Sequence, residues 1–215
     1  LSTGKRINHA SDDPAGISIT TVMDVKSKSM DMASRNADIA QSMIKVAEGG
    51  IQEISESLIR MKELALQSLN GSNTDESRKL LDQDFQSNKT HIEQIAQTNS
   101  MNGKKLLNGS EKSLLFQIDN KSNLDHQLNL DMGKLDASNS SFNLNQIDIQ
   151  TYDNAKETLD VVSLALKKID ASRAYMGAIT NKLESIKSNM SGSSIQHQAS
   201  KSRILDTDIA EETAR

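Results

Sequence analysis

The sequence predicts a mainly α fold, an elongated antiparallel bundle of long coiled-coil-like helices with a small β-hairpin subdomain. The first observation behind this is a single apolar phase that recurs in alternating three- and four-residue steps. It runs over Met23, Lys26, Met30, Ala33, Ala37, Ala40, Ile44, Ala47, Ile51, Ile54, Leu58, Met61 and Ala65, with Lys26 its one polar member. The second is a similar seam near the other end, over Val162, Ala165, Ile169, Ser172, Met176, Ile179, Leu183, Ile186 and Met190. The third is composition: two Tyr, three Phe and no Trp leave little bulk for a thick core. Ala, Leu, Ile, Met and Val suit narrow helix-helix seams instead.

Residues 1–13 read as a linker entering the bundle. The N-terminal helical arm, 14–99, starts at Pro14, the only proline. Ser11, Asp12 or Asp13 can accept the orphan N–H groups of a first turn, and Pro14 at its first position loses no helical hydrogen bond. One long helix is expected over about 14–69. Gly49 and Gly50 each cost about 1 kcal/mol relative to Ala in a helix interior, but the apolar phase agrees on both sides of them. NGSNTDES, residues 70–77, is a turn rich in capping residues. A return helix follows over about 75–98, with Leu81, Phe85, Ile92 and Ile95 on one face, folded back by the short connection.

Over 100–150 the period changes to two. Leu114, Phe116 and Ile118, then Leu128, Leu130 and Met132, flank DNKSNLDHQ, the pattern of a β-hairpin. SFNLNQIDIQ, residues 141–150, reads as a third extended piece. The C-terminal helical arm, 151–215, carries the second seam. SGSS at 191–194 reads as a bend or loosening, with the helix resuming at Ile204, Leu205 and Ile209.

A net charge of −4, from 25 basic and 29 acidic residues, gives no broad positive field, and no local basic patch supports a nucleic-acid partner. Without cysteine there is no thiol nucleophile or disulfide framework. No apolar run is long enough to span a membrane. His9, His91, His126 and His197 fall in separate elements, without the i, i+4 partner a helical metal site needs. Carboxylate pairs such as Asp12-Asp13 and Glu211-Glu212 read as caps and solvated faces. No nucleotide-binding or hydrolase motif appears, so no catalytic residue, cofactor or metal is expected and the chain does not read as an enzyme.

LSTGKRINHASDDPAGISI, RNADIAQSMIKVAEGGIQEISESLIRMKELALQSLNG, MNGKKLLNG, ASRAYMGAITNKLESI and SRILDTDIAEETAR, in that order, resemble bacterial flagellin. The resemblance implies the structural subunit of the bacterial flagellum: secreted, exported through the hollow growing filament, and self-assembled with other flagellin subunits into a helical propeller for motility. It further implies terminal segments that form the innermost tube, carry the export signal and bind the export chaperone. These are not in the sequence, which opens on LSTGKRI and stops on EETAR, so residues 1–215 alone are not expected to polymerise.

The same resemblance implies a site for a Toll-like innate immune receptor in LIRMKELALQ. It falls on Ile59, Arg60, Glu63, Leu64 and Gln67, with a carboxylate from the next helix at Asp84. Asp84 is one methylene shorter than the Glu usual in the family. A signalling coiled coil of chemoreceptor type is the alternative from another class, and it requires a helical hairpin tip where this sequence alternates. The hook-filament junction protein is the alternative within the structural class.

Overall fold

The computed structural model describes residues 4–118 and 127–207. Its elements are α1 (Pro14–Ser68), α2 (Asp75–Thr98), β1 (Ser100–Met101), β2 (Lys104–Lys105), β3 (Ser113–Gln117), β4 (Gln127–Asp131), a 3₁₀ turn (Met132–Leu135), α3 (Asn139–Phe142) and α4 (Tyr152–Leu205). The chain is mainly helical, and its long helices pack on one another through buried seams. It divides into two compact units that do not follow sequence order: residues 1–40, 115–128 and 182–215 form one, and 41–114 with 129–181 the other.

At the start of α1, Asp13 Oδ1 accepts Gly16 N–H at 2.9 Å and the Asp13 carbonyl accepts Ile17 N–H at 3.0 Å. Asp13 is thus the capping residue, with Pro14 at the first helical position, where its missing N–H costs nothing. Asp12 is not a cap of this helix. Its carboxylate accepts the backbone N–H groups of Asn8 and His9, at 3.0 and 2.9 Å, and closes the preceding turn. Those two donors, His9 first, hold its carboxyl below the usual carboxylate range. A Cβ on Gly16 would press on the Asp13 carboxylate that caps the helix and lie 2.9 Å from Ile7 Cδ1, so these side chains would have to shift.

Within the first unit, α1 and α4 meet through a polar layer. Ser27 and Ser194, both buried, share a hydrogen bond at 2.9 Å, and Gln198 donates to both hydroxyls. The seam therefore passes through Ser27, while Lys26 is exposed. The expected bend at 191–194 does not occur: α4 runs unbroken through the serines, because Ser194 is a buried member of the seam. Asp24 pairs with Lys201 at 2.6 Å and Lys28 at 3.0 Å, and these partners, Lys201 first, hold its carboxyl below the usual range. Lys187 pairs with Asp38. The segment before α1 joins the end of α4 through a bridge between Lys5 and Asp206, and Arg6 N–H donates to the Leu205 carbonyl at 2.6 Å. Ile209 and Glu211-Glu212 lie outside the described residues.

In the second unit, Ala47, Ile51, Ile54, Leu58, Met61 and Ala65 of α1 are buried, as are Phe85, Ile92 and Ile95 of α2 and Val162, Ala165, Ile169 and Met176 of α4. Thr74 caps α2, accepting Ser77 N–H at 3.2 Å. A buried polar knot then ties three segments. Arg78 reaches the Ser68 hydroxyl and the Asn70 carbonyl, both at 3.3 Å, and Ser68 donates to the Ile149 carbonyl at 2.6 Å. Asp82, also buried, accepts Ile149 N–H at 3.1 Å, the Gln86 side chain at 3.1 Å and the Gln150 side chain at 2.8 Å.

β3 and β4 form a two-stranded sheet, with Leu114, Ile118, Leu128, Leu130 and Met132 buried. Gln127 apart, the expected DNKSNLDHQ turn lies outside the described residues. A chemoreceptor-type hairpin, helical at this point, does not accommodate these strands. A second hairpin, β1 with β2, turns on Asn102 and Gly103, both at positive φ. The third extended piece expected at 141–150 is not a strand. Ser138 caps the short helix α3 instead, accepting Ser141 N–H at 3.3 Å, and Asn143 ends it in the left-handed conformation.

Candidate protein-binding surface

A helix packed along one seam should expose a polar back, and α1 departs from that expectation. In the first unit Val22, Val25, Met32 and Ile39 are all exposed. Val25, Met32 and Ile39 stand seven residues apart, so they share one face of the helix, in a different phase from Ala33, Ala37 and Ala40. A large apolar side chain contributes roughly 1.5–3 kcal/mol when it is taken out of water. Several in one stripe make a surface of the kind a partner can cover. Beside the stripe runs a groove of about 410 Å³, whose lining includes Val25, Lys28, Met32, Ala33, Asn36 and Gln117. Its wall is fixed by Asn36, whose side-chain amide donates to the Gln117 carbonyl at 2.9 Å.

This stripe was missed in reading the sequence, although a signal for it existed. Val25, Met32, Ile39 and Val46 recur every seven residues, one step out of the seam's phase. On a helix with a single apolar seam, residues in that phase would face solvent.

In the second unit, Arg60 and Glu63 form an exposed ion pair at 3.1 Å, and Ile59 and Gln67 are exposed beside them on α1. Leu64 does not belong with them. It is 1 % exposed, three residues from Met61 and next to Ala65, and so lies in the widened seam. Asp84 is exposed on α2, a separate helix, with its backbone carbonyl accepting the Asn88 amide. An exposed i, i+3 pair such as Arg60 with Glu63 contributes little to stability, which leaves both groups available to a partner.

Among the described residues there is no group of three or more His, Asp and Glu side chains that could hold a metal ion. Among the described residues no helix is long and apolar enough to cross a membrane. His126 falls outside the described residues; His9, His91 and His197 stand on separate elements. The described residues present two exposed surfaces: an apolar stripe with a groove in one unit, and a charged, apolar-flanked patch in the other.

Comparison with known proteins gives a consistent result. Residues 1–112 match the family described as the bacterial flagellin N-terminal helical region, and residues 159–215 the bacterial flagellin C-terminal helical region. The chain is similar to a flagellin of Halalkalibacterium halodurans, 37 % identical over 99 % of this chain and 77 % of that protein. It is 33 % identical to a flagellin of Bacillus subtilis over 99 % of this chain and 80 % of that protein. Among solved structures, Bacillus cereus flagellin superposes with a TM-score of 0.62 at 24 % identity, covering 73 % of this chain and 88 % of that one. A putative flagellar hook-associated protein from Vibrio parahaemolyticus superposes with a TM-score of 0.72 at 15 % identity, covering 91 % of this chain and all of that one. At those identities the two structures speak for the fold alone.

Proposed function

The chain belongs to the bacterial flagellin family, and from that membership we infer that the exposed stripe of α1 is a surface on which it meets other copies of itself. It is a structural subunit of the flagellar filament, built from flagellin subunits outside the cell. The observation that carries the inference is that Val25, Met32 and Ile39 are exposed in the single subunit although they share one helix face. A subunit that folds through one phase of α1 and assembles through another has a use for aliphatic side chains in both. Contact of this kind needs no catalytic residue, and we assign none; the subunit's activity is association.

The test is a pair of charges on the stripe. In the full-length protein, Val25→Glu with Ile39→Glu is expected to leave the helical content and melting temperature of the monomer nearly unchanged, because both side chains face solvent. It is expected to abolish polymerisation seeded on filament fragments, read by sedimentation. Polymerisation at the parental rate would remove the stripe from the assembly surface.

A second reading rests on the exposed patch at Ile59, Arg60, Glu63 and Gln67, which offers a host innate immune receptor of the Toll-like class an Arg flanked by apolar and polar contacts. Leu64, being buried, takes no direct part in that reading, and Asp84 would contribute from α2. Truncating Arg60 to Ala is expected to weaken receptor binding at least tenfold, on the order of 1.4 kcal/mol or more, while the fold is kept. Unchanged binding and signalling would take the receptor site off this patch.

A further inference from the structure

All nine methionines of the chain lie among the described residues. Met43, Met61, Met132 and Met176 are buried, and Met23, Met30, Met101 and Met190 are partly covered. Met32 alone is exposed, at 52 %. It stands in the middle of the apolar stripe, and its side chain lines the groove closed by Gln117. The Arg35 guanidinium, one turn along, donates to the Met32 sulfur.

We propose that Met32 is a site of oxidation by hydrogen peroxide, and that its sulfoxide switches off association along the α1 stripe while the subunit is still free. In the reaction the thioether sulfur attacks one peroxide oxygen and the O–O bond breaks. The sulfur is oxidised to the sulfoxide as peroxide is reduced, and proton transfer to the departing oxygen releases water. Solvent exposure lets the oxidant approach Met32 without any opening of the fold, which the four buried methionines require. Arg35 already points a donor at the sulfur, and a sulfoxide oxygen is a much stronger acceptor than a thioether. The product is therefore held in place by a charge-assisted hydrogen bond.

The consequence follows from what the stripe has to do. A thioether is soft and apolar and packs readily into a helix-helix seam. A sulfoxide in the same seam has to be desolvated, and Arg35 can satisfy it only by being drawn into the contact with it. The proposal rests on the stripe being the assembly surface. It adds to that reading a chemical state in which the surface is blocked, and one that methionine sulfoxide reduction reverses.

The experiment uses the full-length protein, both as monomer and as preformed filaments, exposed to hydrogen peroxide and mapped by peptide mass spectrometry. In the monomer Met32 is expected to oxidise faster than every other methionine of residues 1–215, and in filaments to be protected several-fold. Oxidised monomer is expected to polymerise about tenfold more slowly than its own untreated sample, with recovery after methionine sulfoxide reductases acting on both epimers. The Met32→Leu protein, measured against its own untreated sample, is expected to lose most of that sensitivity. Faster oxidation of another methionine in the monomer overturns the site. Equal peroxide sensitivity of the parent and Met32→Leu proteins overturns the switch. Equal oxidation of Met32 in monomer and filament overturns instead the assembly reading on which the proposal rests.

Discussion

Replacing Asp82 by Ala is expected to destabilise the unit formed by residues 41–114 and 129–181 by about 3 kcal/mol, a large fraction of the stability of a domain. Asp82 is buried, and its carboxylate accepts three hydrogen bonds: from Ile149 N–H, from Gln86 and from Gln150. The Ile149 amide is the critical partner. It sits in the chain that leads into α4, beside a carbonyl that accepts the Ser68 hydroxyl. Without the carboxylate its N–H stays inside with no acceptor, and a buried donor left unpaired costs about 1–3 kcal/mol by itself. Hydrogen bonds to a charged group add to that loss. Urea unfolding of the chain followed by circular dichroism measures it. Asp82→Asn keeps one acceptor oxygen and is expected to recover about half of the loss.

The adjacent glycines of α1 are expected to respond to alanine with opposite signs. Gly49 is exposed, and nothing lies within 4 Å of a Cβ built there. Gly49→Ala is therefore expected to stabilise the chain by about 0.5–1 kcal/mol, the propensity difference of an open helical site. Gly50 is buried, and a Cβ there would lie 2.5 Å from the Asn99 side-chain nitrogen and 2.7 Å from Leu107 Cδ1. That nitrogen donates to the Val46 carbonyl at 3.0 Å, so the clash falls on the residue that caps α2 and fastens its end to α1. Gly50→Ala is expected to cost about 1–3 kcal/mol in spite of its better helix propensity. Thermal melts of the two single variants decide it, since a propensity effect alone would raise both.

These glycines illustrate how much was legible. The phase of the apolar seam carried α1 through Gly49 and Gly50 without a break, which local propensity alone would not have done. Why Gly50 has to be glycine is not local information, because it depends on Asn99 and Leu107, about fifty residues away. The serines at 191–194 were misread for a related reason. A small hydroxyl side chain is polar in a list of residues, but Ser194 facing Ser27 makes a tight, satisfied contact that a helix seam tolerates. Arg78 and Asp82 were hidden in the same way, since charges on an amphipathic helix are ordinarily read as its wet face.

The candidate site was less legible than the fold. Leu64 entered the candidate receptor patch through the family resemblance alone, yet it is three residues on from Met61 and falls inside. The α1 stripe lies in a second phase, one residue behind the seam. What a surface will meet is a property of two molecules, and a single chain records only the side chains that remain uncovered.

In the proposed assembly α1 folds the subunit with one phase of apolar residues and joins it to its neighbours with another. Electron cryomicroscopy of filaments formed by the full-length protein shows which phase the neighbours cover. In those filaments Val25, Met32 and Ile39 are expected to be covered by a neighbouring subunit, while Ala33, Ala37 and Ala40 keep the intramolecular contacts that bury them here. A filament in which Val25, Met32 and Ile39 face open solvent would contradict it.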